Sequence, residues 1–195
     1  MATKKLSINK STDQNFILPS FDLTPVDFIE RSNESEETYR SLLRSLKRKK
    51  GFGLFFAVDI NETKREEVAN KVKNDLPNKN ICSILLDEKS IRLFDLVSDL
   101  YKQDSPDIII IKGLEKALYS YEDTKLNFEG WGYKDLAYSW KDVPPILSHL
   151  NQQRERFASE FPCIFLFLIP PWCINYLVRR ALIFLIGAQV YFSFL

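Results

Sequence analysis

A chain of 195 residues, 45% hydrophobic and 27% charged, can form one domain of ordinary size plus a tail, and is too apolar for a disordered protein. Its 27 basic and 26 acidic residues nearly cancel, and a net charge of +1 gives no electrostatic drive toward nucleic acid. Three cysteines (Cys82, Cys163, Cys173) without C-x-x-C spacing, and one histidine (His149), argue against a metal site and for reduced thiols in a cytoplasmic protein.

The N-terminus, Met1-Ala2-Thr3-Lys4-Lys5, lacks the apolar stretch of a signal peptide. Residues 1–34 are polar and without periodicity apart from Phe16-Ile17-Leu18 and Val26-Asp27-Phe28-Ile29, and read as an extended leader. A helix is predicted from near Ser35. Glu36 and Glu37 fall in its first turn, and Lys47-Arg48-Lys49-Lys50 close it before Gly51, as the helix dipole and the glycine C-cap favour. That basic cluster reads as a solvated helix end rather than an anion site.

Phe52 to Val58 is a continuous apolar run, the pattern of a strand covered on both faces. Helical spacing follows from Lys64 to Leu76, with Val68, Val72 and Leu76 on one face. Pro77-Asn78-Lys79-Asn80 marks a turn and Ile81–Leu86 a second strand. Ile91, Phe94, Leu96, Val97 and Leu100 predict another amphipathic helix, and Ile108–Ile111 a third strand, buried, that delivers Glu115 beyond its carboxyl end. Residues 117–143 crowd Tyr119, Tyr121, Phe128, Trp131, Tyr133, Tyr138 and Trp140 around Gly130 and Gly132, which reads as an aromatic insertion packed locally. Pro144-Pro145 opens a helix carrying Ile146, Leu147, Leu150 and Phe157. Phe161–Ile169 is the fourth strand, and Trp172–Arg180 a short helix. This alternation predicts an α/β fold, a three-layer parallel sheet.

The acidic strand at Asp107–Glu115 resembles the Walker B strand of nucleotide-binding sheets, whose ligands lie outside the carboxyl ends of the strands. The matching phosphate loop is missing. A Walker A loop needs G-x-x-x-x-G-K-[ST], so that backbone N–H groups wrap the phosphates, a lysine reaches them and a hydroxyl holds magnesium. After Val58 the chain reads Asp59-Ile60-Asn61-Glu62-Thr63-Lys64-Arg65-Glu66-Glu67, with no glycine and with carboxylates where phosphates would lie. Thr63 and Lys64 are a reversed echo of the motif, and Gly51-Phe52-Gly53 precedes the strand instead of following it. Lys112 and Gly113 hold the positions where a metal-ordering Asp would stand, so Glu115 reads as a structural carboxylate before a catalytic one. Arg154 is a sensor-like arginine at most, on a solvated helix face beside Glu155. His149 reads as a partly exposed helix residue.

The blocks Leu150-Asn151-Gln152-Gln153-Arg154-Glu155-Arg156-Phe157, Phe161-Pro162 and Arg179-Arg180-Ala181 resemble a group of cyanobacterial proteins. In these an AAA/STAND-like P-loop-type domain, often without an intact Walker A, precedes tetratricopeptide repeats. Lys50-Gly51-Phe52-Gly53-Leu54, Gly113-Leu114-Glu115 and Pro144-Pro145-Ile146-Leu147 fit the same pattern, and the resemblance covers roughly residues 36–181. It implies a P-loop NTPase-type sheet spanning residues 35–181, used as a signalling or scaffold module. It carries over no catalytic residue.

After Ala181 the group continues Pro-Asp-Phe-Phe-Asp-Trp-Arg-Ser-Gly, whereas this chain has Leu182-Ile183-Phe184-Leu185-Ile186-Gly187-Ala188-Gln189. Dropping one nucleotide near the proline codon converts the first stretch into the second, so residues 182–195 read as a frameshifted apolar tail with the repeats lost. A rival reading makes residues 161–195 membrane-associated. The segment after Arg179-Arg180 is short of the ~20 residues a membrane helix needs, and Pro170-Pro171 interrupts the one before it. The sequence therefore points to a non-catalytic, cofactor-free module with a protein partner. The alternative is an ATP-binding STAND/AAA-type ATPase with an atypical phosphate site, in which Thr63, Lys64 and Arg154 would bind nucleotide and Glu115 would act.

Overall fold

The computed structural model describes residues 31–119, 143–181, 184 and 188–194. The aromatic segment from Tyr121 to Trp140 therefore lies outside the described residues, as does most of the leader. In chain order the elements are α1 (Arg31–Arg48), β1 (Gly53–Val58), α2 (Glu62–Asp75), β2 (Ile81–Leu85), α3 (Leu93–Asp104), β3 (Ile108–Lys112), α4 (Pro145–Glu160), β4 (Ile164–Ile169), α5 (Pro171–Arg180) and β5 (Ala188–Ser193). The five strands form one sheet in the order β2-β3-β4-β1-β5, parallel at every pairing.

Burial explains the three inner strands. Every residue of β1 and β4, and the four isoleucines of β3, are buried, so polar alternation is absent and only β-branched, aromatic and aliphatic side chains remain. The pleat sends them to two separate cores. Leu54, Phe56, Val58, Ile109, Ile111, Phe165, Phe167 and Ile169 face α3, α4 and α5. Phe55, Ala57, Ile108, Ile110, Ile164, Leu166 and Leu168 face α1 and α2. The α/β sandwich of three layers follows from these two faces. Connections leaving β1 run toward one edge on one face and those leaving β2, β3 and β4 run toward the other edge on the opposite face, as right-handed crossovers require.

Several boundaries differ from the sequence reading. The first helix spans Arg31–Arg48, so it includes Arg31, one turn before Ser35. α2 turns Arg65, Ala69 and Val72 inward and leaves Val68 at the margin, so its buried face is rotated from the predicted one. Ile91 stays outside α3 and is half exposed. β4 starts at Ile164 because Phe161 still belongs to the end of α4, its N–H donating to the Phe157 carbonyl. The largest difference lies in the tail. Ala188–Ser193 adds a fifth strand along β1, Phe192 stacks on Phe55 at 6.4 Å between centroids, and the Phe194 N–H donates to the Val58 carbonyl. An apolar segment that adds a strand to a sheet needs no lipid to cover it. Among the described residues no helix is long and apolar enough to cross a membrane.

Candidate functional site at the carboxyl edge of the sheet

With β4 the only strand between β1 and β3, the loops leaving β1 and β3 meet over its carboxyl end. Their residues form a buried polar cluster. Asp59 follows β1 directly and is 2% exposed; Arg65, one turn into α2, is 7% exposed; Glu115, after β3, is 4% exposed. The Arg65 guanidinium uses both ends of its fork. Nη2 donates to Glu115 Oε1 at 2.8 Å, and Nη1 donates to the Asp59 carbonyl at 2.7 Å and to the Ile60 carbonyl at 3.3 Å. One side chain thereby ties α2, the end of β1 and the β3 loop together.

Local sequence sets this geometry. Asn61 caps α2, accepting the Thr63 N–H at 2.8 Å, and Asp59 Oδ1 accepts the Asn61 N–H at 2.7 Å. The two turns fix where α2 starts, and its period then aligns Arg65 with Ala69 and Val72 on the face toward the sheet. On the other side Gly113 has φ +78°, and a Cβ there would come within 2.3 Å of the Leu86 carbonyl oxygen. Only glycine lets β3 turn here, so the turn that carries Glu115 depends on it.

The cluster holds two carboxyl groups and one guanidinium. Asp59 Oδ2 and Glu115 Oε2 are buried and have no hydrogen-bond partner among the described residues. Beside the cluster lies a cleft of about 40 Å³ bordered by Glu62, Glu66, Lys112 and Gly113. At ~10–15 Å³ per ordered water it has room for a few solvent molecules. Ligand pockets span ~300–1,000 Å³. At its mouth Lys112 is clamped by both oxygens of Glu66, at 3.0 and 2.9 Å. Tyr119 stacks on Trp172 at 5.6 Å, and burial, then the Glu115 charge, raises its hydroxyl pKa.

No protein-family model matches this chain, and no curated protein matches it significantly.

Of the candidate residues, Glu115 alone lies in the cluster. Thr63 and Lys64 are exposed in the first turn of α2, and Thr63 is engaged through its backbone by the cap. Arg154 lies on α4, paired with Glu155 at 2.9 Å, and does not border the cleft. Among the described residues no group of three or more His, Cys, Asp or Glu side chains could hold a metal ion. Arg65 went unnoticed in the sequence because it sits in a run of charges. Its signal was the spacing Arg65, Ala69, Val72, Leu76, a helix face on which one long cation replaces an apolar residue.

Proposed function

We propose that the protein is a non-catalytic relative of P-loop NTPases, an AAA/STAND-type signalling or scaffold module that binds another protein. The observation that carries this reading is the buried Arg65–Glu115 ion pair at the carboxyl ends of β1 and β3. In a nucleotide-hydrolysing sheet this edge holds phosphates, and a carboxylate here orders metal or water. In this chain the Arg65 fork is engaged by a carboxylate and by two backbone carbonyls, which compete with any phosphate for its donors. Glu115 gives one of its two oxygens to Arg65. The all-parallel sheet, with β1 and β3 converging across β4, supports the NTPase ancestry; the internal ion pair supports the loss of its chemistry.

A protein partner is supported by where the exposed apolar side chains lie. Four of the six large apolar side chains exposed among the described residues lie at this edge: Ile60, Ile91 and Tyr119 on the connections leaving β1, β2 and β3, and Leu85 as the last residue of β2. Exposed apolar groups gathered around one edge are a mark of association surfaces.

Titration with labelled ATP and GTP in the presence of magnesium tests the reading. No saturable binding in the micromolar range is expected. Micromolar binding weakened by Lys64→Ala or Glu115→Gln would instead establish the nucleotide-binding alternative.

A further inference from the structure

The first turn of α3 lacks a cap of its own. Its N-cap residue is Arg92, whose side chain makes no capping hydrogen bond. Helix starts carry N–H groups without intrahelical acceptors, and these need a partner. The partner comes from 55 residues away in sequence: His149 Nε2, on α4, accepts the Phe94 N–H at 3.3 Å. A backbone N–H can only donate, so the ring must be neutral, with its lone pair on Nε2 and its proton on Nδ1.

We propose that His149 is a pH-sensitive latch, holding the first turn of α3 against α4 while its imidazole is neutral and releasing it when the ring is protonated. Protonation would remove the acceptor and turn Nε2 into a donor facing a donor. It would also place a cation at the positive end of the α3 dipole. The charged neighbours add to this. Arg92, the N-cap of α3, pairs its Nε with Asp95 at 2.6 Å, and from α4 Arg156 lies over the Phe94 ring at 4.0 Å. Asp95 alone favours the imidazolium, while Arg92, Arg156 and above all burial oppose it.

The latch has packing consequences. The residue it holds, Phe94, meets Phe157 edge-on at 5.3 Å and Phe161 at 5.2 Å. Leu93 and Val97 beside it are buried in the same core. Release of Phe94 therefore loosens the contact between α3 and α4, and with it the connection from β2 that carries the exposed Ile91.

Burial holds the His149 pKa below 6.5 in the folded protein. The unfolded chain then binds the proton more readily than the folded one. The contribution of the latch is complete above pH 6.5 and is lost as pH falls from there through the folded-state value.

The chain has a single histidine, so its ring signals can be followed without assignment. In a titration of the full-length protein by NMR, the imidazole should titrate below 6.5 and the Phe94 amide should shift with the same midpoint. Urea unfolding from pH 7.5 to 5.5 should show a stability loss on acidification that His149→Gln, which keeps an acceptor that does not titrate, suppresses. A midpoint at or above 6.5, a Phe94 amide that does not follow it, or an unchanged pH slope in His149→Gln would each overturn the proposal. The wild-type titration decides even if the variant folds poorly.

Discussion

Two of the long-range polar links that tie helices to this fold rest on opposite physics. Arg65–Glu115 joins α2 to the β3 loop by full charges at 8% and 5% side-chain exposure. His149–Phe94 joins α4 to α3 by one neutral hydrogen bond in a half-buried place. The first link cannot be given up one partner at a time, because either charge left alone would be buried without compensation. The second can be released by adding a single proton. An ion pair buried over the carboxyl ends of the strands fixes that edge, and the adjustable contact lies elsewhere.

The comparison predicts its largest effect at Arg65. Arg65→Met should leave Glu115 buried and unpaired at a cost of about 3–5 kcal/mol, measured as a drop in the urea midpoint with unchanged m-value. Exchanging both partners, Arg65→Met with Glu115→Leu, should recover most of that loss, because an apolar pair of similar volume carries no desolvation debt. Recovery should stop about 1 kcal/mol short, since the Asp59 carbonyl loses its guanidinium donor. Additive losses in the double variant would show that the two charges are not coupled, and the NTPase-derived reading would lose its main support.

The second link should be weaker. At pH 7.5 His149→Leu removes the acceptor for the Phe94 N–H, and loss of a helix cap costs about 0.5–2 kcal/mol. His149→Gln should fall between this variant and the wild type. If His149→Leu proves as costly as Arg65→Met, the neutral link is not the lesser one and the contrast fails.

These links also show what the sequence could convey. The isoleucines of β3 and the apolar runs of β1 and β4 declare themselves, because strands buried on both faces admit no other side chains. Gly51 after α1 and Pro144-Pro145 at the start of α4 punctuate the helices as backbone geometry demands. Arg65 and His149 are different, since their partners lie 50 and 55 residues away and the only local mark is the alignment of Arg65 with Ala69 and Val72. The fifth strand was hidden for another reason. Ala188–Ser193 follows an apolar stretch of no clear period, and its role appears only when β1 is found with a free side to pair.

The smallest effect should come from within the same edge, at Lys112. Its amine is bound by both Glu66 oxygens at 3.0 and 2.9 Å, close to the 2.8 Å of the Arg65 pair, but its side chain is 23% exposed and that of Glu66 is 50% exposed. Water and salt screen such a pair, and exposed ion pairs contribute about 0–1 kcal/mol. Lys112→Met should therefore shift the urea midpoint little, and 1 M salt should abolish even that difference, because screening then acts within ~3 Å. The Arg65→Met deficit should survive the same salt, because solvent ions do not reach a buried guanidinium. Equal salt sensitivity at the two sites would mean that solvent enters the cluster, and the cleft would then have to be counted as open to ligands.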